Sequence, residues 1–139
     1  MTGNTTNKAL MVGSKALFIA LILTVLPLSA VLAADNTIEM VVSPNVLNIE
    51  STGGSISIHT DIGYVSEDDA ALEVNGTPIE TITTFVDNRG NLVVKCSIDT
   101  VKNIVVGTDE ATFVLTASYN GSVYSGTDTI AVIQVLPQK

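Results

Sequence analysis

The chain has 139 residues, among them 14 acidic residues, 6 Lys or Arg and one cysteine. This length suits one domain, and a single cysteine excludes an internal disulfide framework. The formal net charge of −8 becomes −10 without the two lysines among residues 1–34, and this sign disfavours nucleic acid and anionic membranes as partners.

Residues 1–34 have the three-part layout of a secretory signal peptide. A polar start with two lysines precedes an apolar run over residues 16–28, and small residues then lead to Ala34. This layout predicts secretion, to the medium or the cell envelope, with cleavage before Ala34 or one residue later. An uncleaved membrane anchor is the alternative, because residues 16–34 are nearly long enough to span a bilayer. Pro27 and the small-residue exit favour cleavage, after which we expect no membrane insertion.

Residues 35–139 are predicted to form one all-β domain. Short apolar and polar alternations recur between turn residues, and sustained helical periodicity is nearly absent. This pattern predicts an immunoglobulin-like antiparallel β-sandwich of about 7–8 strands with one short helical turn. The predicted strands are Ile38–Val42, Val46–Ile49, Ser55–Thr60, Ala71–Val74, Thr81–Val86, Leu92–Ser97, Ala111–Tyr119 and Asp128–Val135.

The connections are predicted from turn chemistry. Two Asn-Gly pairs, beginning at Asn75 and Asn120, favour hairpins because both residue types tolerate positive φ. We expect a loop over Asn120–Gly126 to join the last two strands as antiparallel partners. The segment Asp99–Ile104 is predicted to form the helical turn, with Asp99 at its N-cap.

Cysteine and histidine are often used in catalysis and metal binding, and the chain has one of each, Cys96 and His59. Cys96 falls on the apolar face of its strand, which predicts a buried thiol. His59 alternates against two isoleucines and should face solvent. No Gly-x-Ser-x-Gly motif occurs, and a catalytic triad or zinc site needs further partners. We therefore predict no catalytic residue, no enzyme activity and no cofactor other than a calcium ion.

Four stretches can be compared with known modules: a strand ending in Asn-Gly, an acidic loop before a Val-Lys strand, a Gly-Thr-Asp turn before a long strand, and a final Gly-x-Asp-Thr-Ile strand. They are Leu72–Ile79, Asp87–Lys95, Gly107–Thr116 and Gly126–Ile133. Together they resemble immunoglobulin-like accessory modules of secreted archaeal and bacterial proteins, which occur near dockerin or calcium-binding repeats. The resemblance implies a sandwich fold without an activity of its own. Cys96 stands where the relatives commonly have Phe, and the loop after Val86 is less rich in aspartate than theirs.

Asp87, Asn88 and Asn91 are the candidate calcium ligands. They surround Gly90 in a turn and offer carboxylate and amide oxygens, the ligands that calcium takes in proteins. Arg89 places a cation among them, and the alternative is a hairpin turn with Asx hydrogen bonds. The acidic run Glu67–Asp69 is a second source of carboxylates if the two loops converge, and otherwise a solvated charge cluster.

Other surface residues suggest further roles. Asn75 and Asn120 each begin an Asn-Gly-Thr or Asn-Gly-Ser triplet, the acceptor pattern for N-glycosylation. Tyr64 and Tyr124 lie in or beside loops and are candidate carbohydrate contacts, although the chain has no Trp.

The leading hypothesis is a non-catalytic secreted or cell-surface structural or adhesion module that acts through protein contacts. An unidentified protein or cell-surface partner is expected, and an edge strand of the sandwich is one place where such a partner can pair. The alternative is a calcium-dependent or carbohydrate-binding accessory domain.

Overall fold

The computed structural model describes residues 36–136, which form nine strands, one α-helix and one 3₁₀ turn. Buried and exposed side chains alternate along the strands. The signal peptide predicted over residues 1–34 lies outside the described residues. The strands are β1 (Met40–Ser43), β2 (Val46–Asn48), β3 (Ser55–Gly63), β4 (Ala70–Val74), β5 (Thr77–Ile79), β6 (Thr83–Val86), β7 (Asn91–Ser97), β8 (Glu110–Tyr119) and β9 (Ser122–Ile133). The 3₁₀ turn is Glu67–Asp69, and the helix α1 is Ile98–Val105.

The strands form two sheets with the order β1-β3-β7-β6 and β2-β9-β8-β4-β5. In an immunoglobulin-like sandwich, strands A, B, E and D share one sheet. Here β1, β3, β7 and β6 take these four positions in that order. The predicted fold class is therefore confirmed. Pairing is antiparallel throughout the two sheets except between β2 and β9, which run parallel.

The core lies between the sheets, where each strand contributes every second side chain. Phe113 in β8 and Leu72 in β4 face Ile58 in β3 and Val94 in β7, and all four are at most 2% exposed. Burial of these apolar surfaces is the dominant favourable term in folding, at about 25 cal/mol for each Å² removed from water. Cys96 is also buried in this core, as the alternation predicts.

The N-terminal segment passes from one sheet to the other. The Ser125 amide donates to the Asn36 carbonyl, and the Ile38 amide donates to the Ser125 carbonyl, so the described chain begins against β9. It then pairs with β3 as β1 and returns to β9 as β2. The Ser43–Pro44 peptide bond between β1 and β2 is cis. One continuous segment thus contacts both sheets.

Helix α1 lies between β7 and β8 and begins earlier than the sequence indicates. Ser97, rather than Asp99, is the N-cap, and its side chain accepts a hydrogen bond of 3.1 Å from the Asp99 amide. Val101 and Val105 are fully buried, whereas Ile104 is only half-buried. Spacing of four residues places Val101 and Val105 on one helix face, which packs against the core. Within residues 36–136, no helix is long and apolar enough to cross a membrane.

Both Asn-Gly pairs form the predicted tight turns. Asn75 and Gly76 have φ values of 49° and 82°, and Asn120 and Gly121 have values of 51° and 80°. These are the two positive values that a type I′ hairpin turn requires. The loop predicted over residues 120–126 is wrong, because the two-residue turn is sufficient and β9 begins at Ser122.

Candidate interaction face on the four-stranded sheet

A row of four side chains crosses the outer face of the four-stranded sheet. Val41 in β1 is opposite His59 in β3, His59 is opposite Val93 in β7, and Val93 is opposite Phe85 in β6. Directly opposite residues lie on the same face of a sheet with Cβ atoms about 5 Å apart. The row therefore spans all four strands, although its members are distant in sequence.

The row is mainly apolar and open to solvent at both ends. Val41 is 63% exposed and Phe85 is 45% exposed, and His59 between them is also exposed. Val93 is only 5% exposed, although it belongs to the outer face. The two exposed apolar residues, Val41 and Phe85, lie at opposite ends of the row, with exposed His59 and buried Val93 between them. Single exposed apolar residues are normal on a surface, whereas apolar residues grouped on one face mark candidate interaction sites. We call these four residues the apolar row.

A groove lies beside the apolar row, toward the first turn of α1. It has a volume of about 600 Å³, and Phe85 forms part of both the row and the groove. The Lys95 ammonium lies over the Phe85 ring, 5.1 Å from its centroid, which is the geometry of a cation–π contact. The remaining groove residues carry hydroxyls or contribute backbone: Gly54, Ser55, Thr81, Thr83, Cys96, Ser97 and Thr100.

Lys95 differs from the other described cations in its surroundings. Arg89 forms an ion pair with Asp87 at 3.2 Å, and Lys102 forms one with Asp99 at 3.6 Å. Lys102 also donates to the Ser51 carbonyl. Within residues 36–136, no carboxylate comes within 4.0 Å of the Lys95 ammonium, although 13 of the chain's 14 acidic residues lie in this range.

The sheet edges are protected by side chains that occupy or remove outward N–H groups. In β1 the Val42 amide donates to Asp128 Oδ2 at 2.8 Å, and in β6 the Thr84 amide donates to Glu67 Oε1 at 3.1 Å. In β5 the outward position is Pro78, which has no N–H to offer. The remaining edge strand, β2, has only three residues. Capped, short or proline-containing edges are the usual defence against strand addition.

The candidate calcium ligands form a hydrogen-bonded turn. Asp87 Oδ1 accepts from the amides of Arg89 and Asn91 at 2.8 and 2.9 Å, and Oδ2 is paired with the Arg89 guanidinium. These donors lower the pKa of Asp87 from its ordinary value, the Asn91 amide most strongly. Asn88 is exposed at the tip of the turn. A calcium ion would have to compete with this Asx turn, and its binding at Asp87, Asn88 and Asn91 stays a prediction.

The acidic run Glu67–Asp69 forms the 3₁₀ turn before β4. Glu67 binds the Thr84 amide, which is the main cause of its lowered pKa. Asp68 and Asp69 are exposed. Among residues 36–136, no three acidic, histidine or cysteine side chains lie close enough together to hold a metal ion. Whether Glu67–Asp69 supplies carboxylates to the turn at Asp87 stays a prediction.

His59 and Cys96 occupy the positions that the alternation predicts. His59 is exposed, and within the described residues its ring makes no hydrogen bond shorter than 3.5 Å. Cys96 is 5% exposed, and burial raises the pKa of its thiol to about 11. Because the thiolate is the nucleophilic form, a thiol with this pKa is weakly reactive at neutral pH.

The remaining surface candidates lie apart. Tyr64 accepts a hydrogen bond from the Thr84 hydroxyl beside β6, whereas Tyr124 is half-buried in β9 and packs edge-on against Tyr119 at 6.2 Å. Tyr64 follows β3 of the four-stranded sheet, whereas Tyr124 lies in β9 of the five-stranded sheet. Asn75 and Asn120 are both exposed, but only the Asn75 amide is bound to a neighbouring strand.

Sequence reasoning missed Phe85, Lys95 and Val41 as members of one surface. A signal was present for the first two, because the turn over residues 87–91 sets the hairpin register that brings Phe85 opposite Val93. The next pair on the same face in that register is Thr83 and Lys95. The addition of Val41 depends on the pairing of β1 with β3, which no local pattern specifies.

Comparison with models of known protein families and with curated protein sequences gives no match. Among solved structures, the chain is similar to the endo-β-1,4-mannanase from Thermotoga petrophila, with 13% sequence identity and a TM-score of 0.43. The similarity covers 73% of this chain and 20% of the mannanase chain. A likeness at this level carries no argument about function.

Proposed function

We propose that the protein is a secreted or cell-surface structural or adhesion module, without catalytic activity, that acts through protein contacts. The observation that carries this proposal is the apolar row, with Val41 63% and Phe85 45% exposed on one sheet face. Removal of such side chains from water is the main favourable term in most protein association. The sheet face is the contact surface.

The protected edges support a face rather than an edge as the contact surface. A partner strand that adds to a sheet needs a row of free N–H and C=O groups. Asp128 and Glu67 occupy outward amides of β1 and β6, and Pro78 removes one from β5. Strand addition would have to break these caps, whereas contact with the apolar row leaves every backbone hydrogen bond intact.

The environment of His59 supports a role without catalysis. A general base must be held within hydrogen-bond reach of the proton that it takes, and a third group usually orients it. The shallow depression beside His59 is lined by Glu39, Met40, Val41, Thr60, Asp61 and Arg89. Of these, only Thr60 carries a nucleophilic hydroxyl, and it donates to the Leu92 carbonyl inside the core.

The calcium-dependent or carbohydrate-binding alternative has less support. The oxygens of Asp87 already accept three protein donors, and the Phe85 ring is covered on one side by Lys95. Carbohydrate sites typically stack sugars on free aromatic faces, and the Tyr124 ring is half-buried against Tyr119. The resemblance to accessory modules of secreted proteins is compatible with either role and with a location outside the cell.

The proposal is tested by binding of the fluorescently labelled secreted form to the surface of the producing cells. We expect saturable binding that is abolished when the cells are first treated with protease, because the partner is a protein. The double variant Val41→Ser/Phe85→Ser should lose most of this binding, whereas Val123→Ser should retain it. Val123 is a matched control, since it is 57% exposed but lies on β9 of the other sheet.

Thermal unfolding of each variant shows whether the fold is retained. Binding that survives protease treatment, or that is unchanged in the folded double variant, would contradict the proposal.

A further inference from the structure

The groove beside the apolar row contains a cation without an acidic neighbour. Lys95 is half-buried at the junction of the groove and Phe85. Opposite charges attract one another, but none of the 13 acidic residues in the range 36–136 has a carboxylate within 4.0 Å of the Lys95 ammonium. The Lys95 ammonium is therefore available to pair with an acidic group of another molecule.

The chemistry of the groove lining favours a carboxylate. Its side chains offer hydroxyls from Ser55, Thr81, Thr83 and Thr100, which are donors to an anionic oxygen. None of the lining residues is Asp, Glu, Asn or Gln. A carboxylate entering the groove thus meets one ammonium and several hydroxyls and no like charge.

We propose that this groove binds an acidic side chain from an extended segment of a partner protein, with the Lys95 ammonium as its counter-ion. The inference rests on the proposed protein-binding function and names the chemistry of the partner. Apolar side chains two residues before or after the acidic one lie on the same side of an extended segment and pack against Phe85 and along the apolar row. The rest of the domain is strongly acidic, so this groove is the part of its surface where such a segment meets least repulsion.

A protein segment fits this surface better than a saccharide does. The apolar row runs from Val41 through His59 and Val93 to Phe85 at the groove, and apolar side chains of a peptide can cover its exposed members Val41 and Phe85. An acidic polysaccharide has no apolar side chain for this row. One face of the Phe85 ring is already occupied by the Lys95 ammonium, 5.1 Å from the ring centroid.

The test is an NMR titration of the ¹⁵N-labelled secreted form with three probes. The first is the blocked peptide acetyl-ESVSESVS-amide, in which Glu and Val share one side of the extended chain. The second is the same peptide with Lys in place of Glu, and the third is a tetramer of galacturonate. We expect the acidic peptide alone to shift amide signals of the groove, centred on Thr83, Lys95 and Ser97. The shifts should weaken with added salt, because an exposed ion pair is screened.

Variants assign the contact to Lys95. Lys95→Gln should weaken binding of the acidic peptide by about fivefold, the upper end of the range for a solvent-accessible ion pair, and Lys95→Arg should restore it. Lys102→Gln is the matched control, because Lys102 is paired with Asp99 and is not part of the groove lining. Its affinity for the peptide should equal that of the wild type.

Three results would overturn this inference: groove shifts with galacturonate but not with the acidic peptide, equal shifts with the lysine peptide, or no groove shift at millimolar peptide. If cell-surface binding requires Val41 and Phe85 but tolerates Lys95→Gln, the acidic partner is wrong and the protein-binding function stands. If cell-surface binding survives protease, the proposed function itself is wrong.

Discussion

Asn75 serves as both a turn residue and a link between strands. Its φ of 49° fits the tight turn after β4. Its side-chain amide donates to the Glu110 carbonyl at 3.2 Å and accepts from the Thr112 amide at 2.8 Å. The Asn75 backbone amide adds a bond to the Thr112 carbonyl. The turn is thereby fixed to the first residues of β8.

Asn120 allows this second role to be measured. It has nearly the same φ, 51°, and also precedes a glycine, but within residues 36–136 its side chain makes no hydrogen bond shorter than 3.5 Å. Replacement by alanine strains both turns equally, so the difference between the variants reports the side-chain bonds. We expect Asn75→Ala to lower the free energy of unfolding by about 1 kcal/mol more than Asn120→Ala. Urea unfolding measures both, and equal losses would contradict this assignment.

At the level of single strands, carboxylate side chains protect the exposed edges of the sheets. Glu67 reaches from the 3₁₀ turn to the Thr84 amide of β6, and this bond lowers the pKa of Glu67 below its ordinary value of 4.5. A carboxyl group with a lowered pKa in the folded state stabilises the fold above its unfolded pKa. That contribution is lost as the pH falls through the folded value.

Glu67→Gln tests this dependence, because glutamine resembles the protonated acid. At pH 7 we expect the variant to melt at a lower temperature than the wild type. The gap should narrow as the pH falls below 4.5, where Glu67 itself becomes neutral. Asp68→Asn is the control: Asp68 is exposed in the same turn, and its melting difference should stay near zero. A gap for Glu67→Gln that is constant from pH 7 to pH 3 would contradict the assignment.

Most strands could be predicted from the sequence because the alternation of apolar residues has a period of two in each of them. The exception is β5, where three residues around Pro78 are too short to show alternation and proline argues against a strand. The sequence pattern also does not predict that β9 begins at Ser122, because residues 122–129 are mostly polar. These residues pair with β8 from Tyr119 to Thr112. Their strand character comes from tertiary pairing.

At the scale of the whole molecule, the candidate site depends on contacts that are distant in sequence. The hairpin of β6 and β7 can be predicted from its turn, but the row from Val41 to Phe85 needs β1, β3 and β7 in register. Register between distant strands is set by packing of the complete sandwich. The alternation along β3 predicts that His59 is exposed, but it does not predict that Val41 and Val93 are the cross-strand neighbours of His59.

Calcium is tested on the whole domain by thermal unfolding with excess calcium and with chelator. Binding to the folded state alone raises the melting temperature by mass action. We expect a shift of less than about one degree, because Asp87 already accepts bonds from Arg89 and Asn91. A rise of several degrees that disappears in Asp87→Ala and Asn91→Ala would instead establish an ion site at this turn.

The parallel pairing of β2 with β9 has a mechanical consequence. Val46 to Asn48 run alongside Ala131 to Ile133 in the same direction. A force that separates the two ends of the described chain therefore pulls these strands past each other lengthwise. Their hydrogen bonds are then loaded together in shear, instead of opening one at a time as in the unzipping of a hairpin. Tension in this direction is therefore shared by all the hydrogen bonds between the two strands.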